Sequence, residues 1–235
     1  MGEGGGRNVC CAVVATNEES MRFNGLFGPQ MPTRKRKSGD SVPEVFIVES
    51  LELADERKER REGEVLAAVL RMCGKNPLYY YIRTKAELEL VAALFKASGY
   101  RYLHISCHGG MTSLETTLDS VSYKEFAKIF ARKLKSRRLF VSACSAGNRP
   151  FAEMVRSHNR GIVSVAAPAN DIQFDHAVAF WSSFYVKTFS LNARSMNSDR
   201  IAEVLRPLAV LFNEPVHFSR VNRRGQWAHE VIGRE

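Results

Sequence analysis

His108 and Cys144 are the two side chains whose setting suits nucleophilic chemistry. Each follows an apolar run of strand type: Tyr102-Leu-His-Ile-Ser-Cys-His-Gly-Gly110 delivers the imidazole, and Leu139-Phe-Val-Ser-Ala-Cys-Ser-Ala-Gly-Asn148 delivers the thiol. An ordinary thiol, with a pKa of about 8.5, is only a few per cent ionised at neutral pH, so a nucleophilic cysteine needs a base and hydrogen-bond donors. An imidazole is the usual base for such a thiol. Gly147 and Asn148 follow Cys144 in a strand-to-helix loop. Backbone N–H groups at such a helix start favour both a thiolate and a developing oxyanion. Taken singly, each residue has a plainer reading. A free cysteine at a strand end is most often a small hydrophobe, and a lone loop histidine is most often a hydrogen-bonding residue.

What makes them a pair is the segment between. Tyr123 to Leu134 carries Phe126, Ala127, Phe130 and Leu134 at helical spacing. Strand, crossover helix, strand is a parallel unit whose two strands usually lie side by side. Groups at their carboxyl ends then meet where open α/β sheets place their sites. His104 competes as base, because alternation puts His104, Ser106 and His108 on one face. Only His108 stands at the strand end with glycine after it, and His104 is expected as a core histidine beneath the site. By the same reasoning Cys73 is expected in helix packing and Cys107 as an inward or neighbouring strand residue. A metal site from Cys107, His108 and Cys144 matches no zinc spacing, so no metal and no cofactor are expected.

The remaining elements are those of an α/β fold with a mainly parallel central sheet. Strands are expected at Val45–Val48, Leu78–Ile82 and Gly161–Ala166. Helices are expected at Glu56–Met72, Lys85–Ser98, Phe151–Ser157, Asp175–Phe189 and Arg200–Phe212. Val216–Val221 and Gln226–Ile232 flank turn residues and read as a C-terminal hairpin. Strands alternating with helices imply three layers. Residues 1–41, punctuated by Gly2–Gly6, Gly25, Gly28, Pro29 and Pro32, read as a flexible arm with a short strand at Val9–Thr16. Residues 42–235 read as one domain.

The chain has 235 residues and a net charge of +9. Its basic residues are scattered or in short runs (Arg34–Lys37, Lys133–Arg138, Arg223–Arg224) without a nucleic-acid-binding module, so nucleic acid is not expected as a ligand. Five cysteines, Cys10, Cys11, Cys73, Cys107 and Cys144, form no disulfide framework. The apolar Val9–Ala15 is too short for a signal peptide, Gly6 stands where a myristoylation signal wants Ser or Thr, and no run approaches a membrane span. A reducing cytoplasm suits a free catalytic thiol.

The residues also carry a family resemblance. His-Gly ending one strand and Ser-Ala-Cys ending a later one resembles the caspase-like (clan CD) cysteine peptidases, and among them the CHAT domains. Asp175-His-Ala-Val-Ala-Phe-Trp-Ser-Ser-Phe-Tyr185 is similar to the helix that follows the nucleophile strand there, and Trp227-Ala-His-Glu-Val-Ile-Gly233 to their closing strand. Ala167-Pro168 departs from the pattern, standing where many CHAT domains have a tryptophan. The resemblance implies a three-layer caspase-like fold and an endopeptidase with a His108–Cys144 dyad. It also implies an oxyanion held by the N–H groups of Gly109 and Cys144. A protein or peptide is then the substrate, in a regulated defence or cell-death-type pathway switched by a partner. The segment Val163 to Asp175 would line the pocket for the side chain before the scissile bond. Asp171 and Asp175 are its charges, and a carboxylate there selects Lys or Arg. Asp175 also suits an N-cap, which leaves Asp171 the better pocket candidate. The basic run Arg34–Lys37 is then either a self-processing site or a solvated linker. Two readings from other classes remain beside the peptidase: an idle caspase-like interaction module and a basic nucleic-acid-binding protein.

Overall fold

In a computed structural model the described residues are 41–234. The expected arm, its strand at Val9–Thr16, Cys10, Cys11 and the Arg34–Lys37 run lie outside them. The elements run β1 (Val42–Glu49), α1 (Leu53–Arg57), α2 (Glu62–Met72), β2 (Leu78–Tyr81), α3 (Lys85–Ser98), β3 (Tyr100–Ser106), β4 (His108–Gly109), β5 (Ser113–Glu115) and β6 (Ser120–Ser122). They continue with α4 (Tyr123–Ile129), β7 (Arg138–Ser142), α5 (Arg149–His158), β8 (Ser164–Pro168), α6 (Phe174–Leu191), α7 (Ser198–Phe212), β9 (Val216–Val221) and β10 (Trp227–Ile232).

Among the described residues the central sheet has seven strands in the order β10-β9-β8-β7-β3-β1-β2, and β4-β5-β6 form a second, small sheet. The strands from β8 to β2 are parallel, and β9 and β10 close the sheet as the antiparallel hairpin read from the sequence. Side chains alternate between two cores. Phe46, Val48, Leu103, Ile105, Leu139 and Val141 face Phe95, Phe126 and Phe151 of α3, α4 and α5. Val45, Ile47, Tyr102, Phe140 and Ala166 face Leu66, Trp181, Phe184 and Leu205 of α2, α6 and α7. Burial on both faces explains why these strands read as continuous apolar runs.

Local signals fix the helix ends. Thr84 and Ser122 each open a helix with a capping box, closed by Glu87 and Glu125. Asn148 caps α5 by accepting from the Phe151 N–H, and Gly99 ends α3 in a left-handed turn.

The expected single helix Glu56–Met72 is two helices, and the cause is a buried carboxylate. Glu49, fully buried at the end of β1, accepts the Gly63 N–H at 2.7 Å and the Tyr79 hydroxyl at 2.7 Å. It thereby caps α2 from outside, where Arg61 supplies no side-chain cap. A Cβ at Gly63 would meet Ile47 Cγ2 at 3.0 Å and Glu49 Cβ at 3.1 Å, so glycine lets the helix start approach the strand. The intervening turn has Glu59 in the left-handed region and leaves α1 as a separate short helix. The strand that was to end at His108 also stops earlier. β3 ends at Ser106, and His108 opens β4, paired with β5 in the small sheet.

Burial raises the Glu49 acid from 4.5 to about 7, helped by the charge of Glu62 and opposed by the Gly63 and Tyr79 hydrogen bonds. The folded protein thus holds this proton more tightly than the unfolded chain. Its contribution to stability is complete below about pH 4.5 and is lost as pH rises to about 7. Glu49→Gln keeps an acceptor for Gly63 without the titration. Thermal unfolding of the variant should lack this loss between pH 4.5 and 7, and at pH 8 it should be the more stable protein by up to about 3 kcal/mol. Parallel pH profiles of the two proteins would contradict this.

Candidate active site

The site is assembled where the strand order switches. From β1 the chain steps outward to β2 through α2. It then returns across β1 to β3 and proceeds through α4 and α5 to β7 and β8. The crevice at such a reversal, outside the carboxyl ends of the strands, is the usual ligand position of open α/β sheets. β3 and β7 pair in parallel from Tyr102 opposite Arg138 to Ser106 opposite Ser142. His108 and Cys144 each lie two residues beyond that last pair. They line the same cavity of about 40 Å3, together with Glu62, Ile172 and Phe174. The two loops are in close contact: a methyl at Gly109 would lie 2.9 Å from the Ala143 Cβ and 3.3 Å from the Cys144 carbonyl. The thiol itself donates to the Ile172 carbonyl at 3.6 Å.

Asp55, on α1, completes the histidine side. Its Oδ2 lies 2.7 Å from His108 Nε2, and its Oδ1 accepts Arg60 Nη1 at 3.0 Å. Asp55 is buried, so this contact works in low dielectric. With Nε2 held by a carboxylate, Nδ1 is the nitrogen left to exchange a proton. Phe174 stands edge-on to the His108 ring at 5.3 Å and beneath the Arg60 guanidinium at 5.4 Å, fixing the ring between them. Asp55 was missed in the sequence because α1 has five residues and no periodic pattern. The available signal was its place just past the carboxyl end of a buried strand.

The cysteine loop is tied down on two sides. Gly147 donates to the Pro168 carbonyl at 2.7 Å, and Ser145 to Asn170 at 3.0 Å. Asn148 Nδ2 donates to the Tyr123 hydroxyl at 3.0 Å, and that hydroxyl donates to the Gly110 carbonyl. Asn148 and Tyr123 thus bridge the cysteine loop to the histidine loop. Gly110 also pairs with Ser113, so ladder alternation leaves the Gly109 N–H off the small sheet.

The other expected residues are placed as follows. Asp171 is exposed and accepts from the Ser145 hydroxyl at 2.8 Å, one residue from Cys144. Asp175 is not the N-cap of α6. Gln173 holds that position without a side-chain hydrogen bond, because the helix opens one residue early at Phe174. Asp175 sits in the first turn and lines an open groove of about 540 Å3, which shares Glu62 and Phe174 with the small cavity. His104 is buried on the α6 side, its Nδ1 3.1 Å from the Tyr185 hydroxyl. It is the core histidine expected beneath the site, and its Nε2, which has no hydrogen bond among the described residues, lies 3.6 Å from Glu62 Oε1. Cys107 packs against the α3–α5 core, and burial pushes its thiol well above the usual range. Cys73 is the C-cap of α2. The ligand atoms of Glu52, Asp55 and His108 lie within 4.8 Å of one another, but the Arg60 guanidinium on Asp55 opposes a cation there.

The chain aligns with a secreted C11 cysteine protease from Bacteroides thetaiotaomicron, "iotapain", over 77% of its own length and 67% of the other chain, with a TM-score of 0.51 and 7% identity. It aligns with the Arg specific cysteine proteinase gingipain R over 72% of its length, with a TM-score of 0.50 and 15% identity. The fold is caspase-like. The caspase-1 of Spodoptera frugiperda aligns over 78% of the chain and 84% of its own, with a TM-score of 0.44 and 11% identity. The chain spans only 42% of gingipain R. No protein-family model and no curated relative matches the sequence. At these identities the likeness is one of caspase-like architecture, and the site has to be argued from its own residues.

Among the described glycines the tightest steric requirement near this site is at Gly147. A Cβ there would come within 2.3 Å of the carbonyl oxygens of both Ala167 and Pro168. Gly147→Ala must therefore displace the cysteine loop from β8. It should lower the thermal midpoint by several degrees, whereas Gly110→Ala, with open space around its Cβ, should leave it nearly unchanged.

Proposed function

We propose that the chain is a cysteine endopeptidase with Cys144 as nucleophile and His108 as general base. The observation that carries the reading is the shared cavity at the sheet's carboxyl edge, with a buried carboxylate on the far nitrogen of the imidazole. His108 Nδ1 takes the thiol proton as sulfur attacks the scissile carbonyl, and the carbonyl electrons move onto oxygen. The N–H groups of Gly109 and Cys144 receive that oxyanion. The C–N bond breaks as His108 returns the proton to the leaving amine. Water, deprotonated by His108, then cleaves the thioester and restores the thiol. Asp55 holds the imidazole in one tautomer and stabilises its cationic form. In the resting state the thiol hydrogen lies on the Ile172 carbonyl, and such catalytic hydrogen bonds commonly tighten only when substrate binds.

Substrates are peptides or proteins with Lys or Arg before the scissile bond. Asp171, held by Ser145 beside Cys144, and Asp175, on the groove that shares walls with the cavity, are the carboxylates that meet such a side chain. A CHAT-type effector in a regulated pathway, working in the reducing cytoplasm with residues 42–235 as its peptidase domain and 1–41 as an arm, is the fuller form of the reading. No helix among the described residues is long and apolar enough to cross a membrane.

Cys144→Ala and His108→Ala should each abolish cleavage of a basic fluorogenic peptide, with the double variant little worse than either. Cys73→Ala and Cys107→Ala should retain most activity. Full activity in Cys144→Ala ends this mechanism. Asp55→Asn should lower kcat by about a hundredfold, since the amide no longer enforces the tautomer. Asp171→Asn should raise KM for Lys and Arg peptides by about tenfold, equivalent to about 1.4 kcal/mol, and leave kcat for the same peptides near its original value. An unchanged KM would remove Asp171 from substrate selection.

A further inference from the structure

The parallel ladder of β3 and β7 ends at Ser106 opposite Ser142. Beyond it the two chains separate, one into the small sheet with His108, the other into the loop of Cys144. At that point both serine hydroxyls donate to a single oxygen, Glu62 Oε2, each at 2.9 Å. Glu62 is the first residue of α2 and is 3% exposed. Its other oxygen, Oε1, has no hydrogen-bond partner among the described residues. Oε1 faces His104 Nε2 at 3.6 Å, within ion-pair distance but too long for a hydrogen bond, and neither atom has a hydrogen bond among the described residues. Keeping a half-satisfied carboxylate buried is costly, and buried polar groups of this kind call for a reason beyond packing. Strand pairing alone does not supply one, because the ladder is complete without it. Glu62 also lines the cavity that holds His108 and Cys144.

We propose that Glu62 is a positioning residue for the dyad. By binding the last residue of each strand to one carboxylate oxygen, it fixes the spacing of the two ends from which the imidazole and the thiol depart. Each serine lies two residues before its reactive partner, so a slip of either strand end is carried directly into the Cys144–His108 separation. Asp55 acts on the imidazole from α1, whereas Glu62 acts on the two strand ends together.

This inference rests on the peptidase reading, and the test separates the two. Alkylation of Cys144 by iodoacetamide is followed against pH by mass spectrometry of its peptide, alongside steady-state cleavage of a basic peptide. The proteins are the wild type, His108→Ala, Glu62→Gln and the Ser106→Ala/Ser142→Ala double variant. Circular dichroism confirms folding, and the serine double variant serves if Glu62→Gln does not fold. In the wild type the alkylation midpoint should lie below that of His108→Ala. In the folded Glu62 or serine variants it should rise by roughly one unit toward that of His108→Ala. Their kcat should fall by about ten- to a hundredfold with KM within about twofold. Folded variants with unchanged midpoint and kcat make Glu62 a structural residue only and overturn the proposal. If the wild type and His108→Ala alkylate alike, the dyad itself fails, and the positioning role with it.

Discussion

The register of β3 against β7 is the constraint from which the site follows. A parallel pair carries its two chains in one direction, so both leave the sheet at the same edge. With Ser106 opposite Ser142, equal steps of two residues bring an imidazole and a thiol to the same depth. A slip by one residue would turn one of the serines to the other face of the sheet and away from Glu62. The two cores hold that register, since each strand alternates large apolar side chains between the α3–α5 layer and the α2–α6–α7 layer. The site is exact because the sheet beneath it is packed on both sides.

Among the described residues three buried carboxylates stand near this edge, and each is buried for a different reason. Glu49 caps α2, and burial raises its acid to about 7. Asp55 is matched by Arg60 and His108. Glu62 is hydrogen-bonded through one oxygen only, the other lying 3.6 Å from His104. Charge is thus tolerated here through a proton, an ion pair and a pair of hydroxyls respectively, which keeps like charges from being stacked without compensation. The arrangement trades stability for a polar floor under a small cavity, a trade common at functional sites.

Much of this was legible in the sequence because its signals were strong and local. The parallel α/β architecture followed from buried apolar runs alternating with helical periodicity, and Lys85–Ser98 matched to the residue because Thr84, Glu87 and Gly99 mark both ends. His108 and Cys144 stand out in the sequence as reactive side chains after apolar strands, although each lies two residues past the end of its strand. What was not legible depended on tertiary contacts. The break between α1 and α2 is dictated by Glu49, whose partner Gly63 is remote in sequence. The departure of His108 into a small sheet depends on pairing with Glu115 and Leu114, which a polar loop does not announce. Asp55 and Glu62 sit in a charge-rich stretch, Asp55 to Glu64, where nothing in the pattern separates a buried acid from a solvated one. Asp175 missed its cap because Phe174 already has a helical place to pack against His108.

The short segment from Ile172 to Phe174 touches both Cys144 and His108. Its first carbonyl holds the thiol hydrogen, and its last ring presses on the imidazole. It ends the connection from β8 and opens α6 at Phe174, where it borders the open groove. Any occupant of that groove that displaces the segment therefore unlatches the sulfur and releases the ring in one movement. Contact with the groove and contact with both side chains are thus made by the same three residues.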